Sequence, residues 1–260
     1  MTDSTLSPSA ISSNLTTQFV GGRVLYYRSL PSTMDVAKQA ARDGAPEGTI
    51  VVADEQTAGR GRLQRQWLTP PGSGIALSII LRPDLACLRG LSMVASLATV
   101  RAIQKVTGLA SSIKWPNDVL IRGKKVCGIL IDCELQGEEV ETAIIGLGLN
   151  VNLEPAAFAE IADTATSLSA ELAREVSRLE VLHSLLTQIE RYYLALRSGA
   201  SLREEWKDNL DTLGKWVRVW VGSTLEEGEA CSVDTEGCLI VKRSDGTLVT
   251  ILAGDVTLRA

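Results

Sequence analysis

The sequence is poor in aromatics, which make up 4% of its 260 residues, and it holds a single histidine, His183. One histidine leaves a catalytic or structural zinc site without its usual nitrogen ligands. Five cysteines remain (Cys87, Cys127, Cys133, Cys231 and Cys238), an odd number with no CxxC pair among them. They read as reduced thiols rather than a disulfide framework or a metal knuckle. No apolar run is long enough to span a bilayer and no secretory h-region opens the chain, so a cytoplasmic protein without a membrane partner is expected. An excess of positive charge is missing as well. The formal net charge is −5, which gives no overall attraction to nucleic acid.

What is present describes an ordinary globular chain, 45% hydrophobic and 22% charged, long enough for one large and one small domain. Residues 1–19 read as a tail or short helix opening at Ser7-Pro8, with no room for a helix-turn-helix ahead of the main domain. Residues 20–211 read as that main domain. In it, Val24 to Tyr27 is the first strand, Ser32-Thr33 opens a helix to Asp43, and Thr49 to Ala53 is a buried strand. Ile75 to Leu81 is a further strand, and Leu91 to Thr107 an amphipathic helix closed by Gly108. Strands over 112–115, 118–121 with 126–134, and 140–151 follow, with turns at Gly123-Lys124 and Gln136-Gly137. Leucines at helical spacing predict helix over 163–197, and Glu204 to Leu210 predicts another turn or two. From 212 to 260 five short alternating stretches separated by glycine turns predict a small β-barrel.

The connection over residues 56–74 is different in kind. It carries Gly59, Arg60, Gly61, Arg62, Arg65 and Trp67, with Pro70 and Pro71 behind them. Such a long polar loop is more often functional than a mere link. Glycine lets backbone approach a ligand, and guanidinium forks match phosphate or carboxylate oxygens. Trp67 offers a ring on which a base can stack. The loop is neither a Walker P-loop, since it lacks Gly-Lys-Ser/Thr, nor a dinucleotide fingerprint, since Gln64 stands where a third glycine is needed. Lys114-Trp115-Pro116-Asn117-Asp118 comes next, and then Lys125-Val126-Cys127-Gly128.

These three blocks, in this order and spacing, resemble the biotin–protein ligase family, whose loop reads Gly-Arg-Gly-Arg-x-Gly-Arg-x-Trp. Ser32-Thr33, Gln56, Ser78, Gly146 to Asn150 and Thr166 to Leu168 match as well, so the resemblance runs over roughly 20–260. It implies a mixed α/β catalytic domain like that of class II aminoacyl-tRNA synthetases, with a small C-terminal SH3-like barrel. It implies biotin and ATP as substrates, Mg²⁺ with the ATP, and a biotin carboxyl carrier protein as acceptor. Biotin contacts are implied for Ser32, Thr33, Gln56, Gly59, Arg60, Gly61, Arg62, Ser78, Lys125 and Gly128. Helix capping is the simpler role for Ser32 and Thr33, and the two roles can coexist. ATP contacts are implied for Arg62, Arg65, Trp67, Lys114, Asn117 and Asn150. Arg62, Lys125 and Asp118 are the catalytic candidates, and Asn117 and Asp118 those for the metal. Asp118 is equally a candidate base for the acceptor lysine.

Two positions depart from the family pattern. Gln64 replaces a usual glycine, so a negative φ is expected there, and Met34 stands where asparagine is common, removing a polar contact near biotin. Two other readings compete. A lipoate–protein ligase shares the catalytic fold, but the Lys-Trp-Pro-Asn-Asp block favours biotin. A biotin-responsive DNA-binding repressor needs an N-terminal module that this reading does not find. A homodimer through a sheet edge fits the pattern, though no residue specifies one.

Overall fold

The computed structural model describes residues 6–252 and 254–258, and the architecture follows from two alternations of side chains along strands. The chain opens with α1 (Pro8–Ser12), capped by Ser7, whose hydroxyl accepts from the Ala10 amide. β1 (Val24–Leu30), α2 (Thr33–Arg42), β2 (Ile50–Gln56) and β3 (Gly74–Leu81) follow. A short α3 (Leu85–Leu88) then leads into the long α4 (Leu91–Thr107), which Gly108 terminates in the left-handed conformation at φ 74°. β4 (Ser112–Lys114), β5 (Asp118–Ile121), β6 (Lys124–Gln136) and β7 (Glu139–Asn150) complete a seven-stranded sheet of order β1-β2-β3-β7-β6-β5-β4. Its β1–β2 pair is parallel and the rest antiparallel, so the mixed sheet expected from the sequence is present.

Both faces of this sheet are apolar. Ile75, Leu77, Ile79 and Leu81 of β3, with Ile145, Leu147 and Leu149 of β7, point into the main core. Ala76 and Ile80 of β3 and Ile144 of β7 point the other way, into a smaller cluster with Met34, Ala37 and Ala41 of α2. α2 has only 10 residues and covers the β1-β2-β3 half. Past Ile144, that side of the sheet carries Gly146 and Gly148 of β7 and Gly128 of β6, which leave a hollow.

The region predicted as helix over 163–197 is not one helix. α5 (Leu168–Leu172), capped by Ser167, ends at Ala173 in the left-handed conformation (φ 52°), and α6 (Arg178–Arg197) starts afresh at the Ser177 cap. Residues 163–167 lie outside any helix. Leucine spacing alone spans this break, because both helices bury their leucines in the same core. α7 (Arg203–Asp208) precedes a second, antiparallel sheet formed by β8 (Trp216–Val221), β9 (Thr224–Val233), β10 (Leu239–Lys242), β11 (Leu248–Ile251) and β12 (Asp255–Leu258). Its order is β11-β10-β9-β8-β12, the five-stranded, SH3-like module expected. The Trp115 indole N–H donates to the Gly237 carbonyl at 2.8 Å, joining this module to the first. Among the described residues no helix is long and apolar enough to cross a membrane.

Candidate active site

The hollow left by the sheet glycines is a cavity of about 700 Å³, and the residues around it come from loops that the fold ties down at both ends. The glycine–arginine loop crosses it as a hairpin-like flap. The Trp67 amide donates to the Gly59 carbonyl at 2.9 Å and the Gly61 amide to the Arg65 carbonyl at 2.8 Å. At its base Arg60 pairs with Asp35 of α2. At its tip Leu63 and Gln64 are both left-handed, at φ 55° and 59°. The negative φ expected of Gln64 is therefore wrong. The Arg62-to-Arg65 turn that reverses the flap needs this conformation, so the position keeps a glycine-like backbone without glycine.

Trp67 descends from the flap onto the floor. A Cβ on Gly148 would lie 2.2 Å from its indole, and one on Gly128 3.0 Å, so this cross-strand glycine pair is what admits the ring. Lys125 Nζ lies 5.2 Å from the ring centroid. Lys125 reaches the floor through a bulge: Leu120 pairs with Lys125 while Val119 pairs with Cys127, so Val126 is the extra residue. Without that bulge Lys125 and Gly128 would face opposite sides of the sheet. The Lys125 backbone is fixed from the far side, donating to the Thr164 carbonyl at 2.9 Å and accepting from the Thr166 amide at 2.8 Å.

Opposite Lys125 stands Asp118, whose Oδ1 is shut off from solvent and lies 2.7 Å from Lys125 Nζ, a charge contact at an angle unsuited to a hydrogen bond. Arg62 Nη1 donates to Asn117 Oδ1 at 3.2 Å and to the Gly254 carbonyl at 3.1 Å. The Asn117 amide in turn donates to the Ile129 carbonyl at 2.7 Å. Cys127, directly behind this group, is fully enclosed; burial pushes its thiol up to about 12, so it stays neutral there.

At the α2 end, Ser32, Thr33, Met34 and Gln56 line the cavity. Gln56 Oε1 accepts from the Thr33 amide at 2.8 Å and from the Thr33 hydroxyl at 3.0 Å. Met34 closes this end against Gly146, where a Cβ would meet its sulfur at 2.5 Å. The floor thus runs along β7, from Gly146 under Met34, past Gly148 under Trp67, to Asn150, which also lines the cavity and donates to the Thr166 carbonyl at 3.0 Å.

Of the residues anticipated from the sequence, Arg60, Gly61, Arg65 and Lys114 also line the cavity. Gly59 and Ser78 do not. Gly59 is buried at the flap's base, where a Cβ would strike the Trp67 carbonyl at 2.5 Å, and Ser78 lies beneath Thr33. Trp67, offered as a stacking ring for a base, rests on the glycine floor. Sequence reasoning missed Leu153, Glu160, Ile161, Asp163 and Thr164, which form a second wall. Its only signal was the Thr166-Ser167-Leu168 match just beyond it, and the helix assigned from residue 163 obscured it.

Cationic groups thus converge at one end of the cavity and hydroxyl and amide groups at the other, over a floor of glycines. The model of the biotin/lipoate A/B protein ligase family matches residues 26–150. The bifunctional ligase/repressor BirA of Bacillus subtilis is 38% identical over 97% of this chain and 79% of its own length. The biotin–[acetyl-CoA-carboxylase] ligase of Paracoccus denitrificans is 34% identical over 76% of this chain and 86% of its own. Among solved structures, the biotin protein ligase of Aquifex aeolicus in complex with biotin and ATP superposes with a TM-score of 0.79 at 30% identity, covering 92% of this chain and 99% of that one. The chain belongs to the biotin–protein ligase family.

Proposed function

We propose that this chain joins biotin to ATP, forming biotinyl-AMP and pyrophosphate, and then transfers the biotinyl group to a lysine of a biotin carboxyl carrier domain, releasing AMP. The observation that carries this reading is the convergence of Arg62 and Lys125 on one cavity whose other end is built from Ser32, Thr33 and Gln56. In the first step a carboxylate oxygen attacks the α-phosphorus as the bond to pyrophosphate breaks. The carboxylate is already ionised, so no base is needed. What the step needs is relief of repulsion between two anions held in line. Lys125 has three N–H donors, and Asp118 occupies one direction only, leaving the others for the reacting oxygens. Arg62, braced by Asn117 and Gly254, would hold the phosphate from the flap. The flap itself would shield the mixed anhydride from water.

Asn117 and Asp118 supply one amide oxygen and one carboxylate, both already engaged, and no cluster of three or more acidic, histidine or cysteine ligands occurs among the described residues. That set does not cage a metal. It fits a Mg²⁺ that arrives on the triphosphate and takes one further oxygen from Asp118 or Asn117. Such an ion would neutralise phosphate charge. In the second step the acceptor amine attacks the acyl carbonyl and must first lose a proton. Asp118 lies beside Lys125 and would accept it.

The test is biotin-dependent ATP–pyrophosphate exchange, with lipoate and Arg62→Ala as controls. Exchange with biotin alone, reduced at least about 100-fold in the variant, is expected. Exchange with lipoate instead would move the chain to the other branch of its family, and no exchange with either acid would overturn the reading.

A further inference from the structure

Thr166 is buried behind the second wall of the cavity, whose surface carries Thr164 and Ala165, and each of its polar groups is engaged. Its amide donates to the Lys125 carbonyl at 2.8 Å, and its carbonyl accepts from the Asn150 side-chain amide at 3.0 Å. Its hydroxyl donates to Glu171 of α5 at 2.7 Å. A carbonyl can only accept, so the Asn150 atom facing Thr166 is the nitrogen, and Asn150 Oδ1 is left without a hydrogen bond among the described residues. Glu171 also stands outside the cavity wall, its side chain 10% exposed. Its other oxygen meets Arg122, in the left-handed turn between β5 and β6, at 3.2 Å, but that arginine is 76% exposed. An exposed ion pair holds weakly, whereas a sheltered hydrogen bond to a carboxylate holds firmly. Glu171 therefore acts on Thr166 more than on the turn.

The two cavity residues that Thr166 touches differ in what else holds them. Lys125 sits in the β5–β6 ladder opposite Leu120, and its amide is taken by Thr164. The Asn150 side chain has the Thr166 carbonyl alone. The segment around that carbonyl has one ladder contact, the bridge between Lys125 and Ala165. We infer that Glu171 is a positioning residue for the nucleotide half of the cavity: by holding the Thr166 hydroxyl it fixes the carbonyl on which Asn150 is aimed. The inference rests on the biotin and ATP reading above, with Asn150 on the nucleotide's side. Ser32, Thr33 and Gln56, at the other end, hydrogen-bond to one another and to Ser78 and make no bond to this wall. Cutting the Glu171 bond should thus weaken ATP and spare biotin.

The experiment is ATP–pyrophosphate exchange at saturating biotin, with titration calorimetry of the full chain against biotin alone. Glu171→Ala and Thr166→Val should each raise the KM for ATP about 10-fold while biotin affinity stays within about twofold. The two together should be no worse than either alone, since both cut one bond. Glu171→Gln keeps an oxygen for the Thr166 hydroxyl and gives up the charge facing Arg122, so it should bring the KM for ATP back to within about threefold of wild type. Equal losses of ATP and biotin affinity in both single variants would mean a general loosening of the fold and would overturn the inference. Additive losses in the double variant would overturn it as well, and so would a silent Thr166→Val beside an impaired Glu171→Gln. A wild type that gives no exchange with biotin would instead overturn the reading on which it rests.

Discussion

At Gly148 one methyl group decides whether the cavity keeps its shape. The Trp67 indole occupies the space a side chain would need, at 2.2 Å, and the atoms in the way belong to a bulky ring rather than a flexible tip. Gly148→Ala should therefore lift Trp67 off the floor and disturb Lys125, whose ammonium lies against that ring. A displacement of about 1 Å at reacting groups costs about 100-fold in rate, so exchange should fall by about that factor with the fold intact by circular dichroism. Gln64 makes the opposite case. Its left-handed backbone costs about 1 kcal/mol for a non-glycine residue, so Gln64→Gly should stabilise the closed flap and slow tryptic cleavage at Arg62 and Arg65. Faster cleavage in the variant would show that the extra freedom of glycine outweighs the relief of strain. Residue type gave no warning here, because a side chain's preference for negative φ yields when the two ends of a tight reversal are hydrogen-bonded.

α6 is the element on which the start of the chain is hung. Glu190, buried at 6% exposure, accepts from three successive amides, those of Gln18, Phe19 and Val20, at 2.6, 2.8 and 2.9 Å. About two turns earlier His183 Nε2 meets the Ile11 carbonyl at 2.9 Å. Glu190→Ala would orphan those amides at a cost of about 1–3 kcal/mol for each buried one. A drop in the urea midpoint with exchange activity preserved is expected, and an unchanged midpoint would show the arm to be loosely held. At the other side of α6, Glu205 of α7 accepts from the Tyr192 hydroxyl at 2.6 Å and from Arg101 of α4. Burial raises its carboxyl, but the Tyr192 and Arg101 bonds outweigh that and hold it below the usual carboxylate value of 4.5. A depressed carboxyl contributes stability that is complete above its unfolded value and is lost as pH falls through the folded one. The melting temperature should thus fall more steeply below pH 4.5 in wild type than in Glu205→Gln. Helix α6 itself was legible from its leucines. Its start was not, since the left-handed Ala173 is invisible to periodicity.

Two modules share one core, and that governs how the molecule should come apart. The sequence made the stretches of the first sheet and the five strands of the second legible, because alternation and glycine turns report strands directly, although it read β5 and β6 as one strand across the Gly123-Lys124 turn. It also named most of the groups around the cavity, since charged and glycine-rich loops stand out against an apolar chain. The joint between the modules was not legible. It consists of contacts between residues from 30 to 122 positions apart that carry no local pattern: Trp115 donating to Gly237, Trp206 lying against Gly237, and Arg203 donating to the Val233 and Asp234 carbonyls. Val217, Val219 and Ala230 of the small sheet belong to the same apolar cluster as Ile113 and Val119 of the large one. An arginine of the flap also ends on the small module, at Gly254. Inter-domain surfaces that are small and polar let domains melt separately, whereas a continuous apolar core does not. Trp115 and Trp206 lie in the joint while Trp216 and Trp220 are exposed on β8, so tryptophan emission and far-ultraviolet circular dichroism sample different places. Both should follow one thermal transition. Two separated transitions, the first moving only the exposed tryptophans, would mean that the small module unfolds alone and that Arg62 is braced by a part that can leave without it.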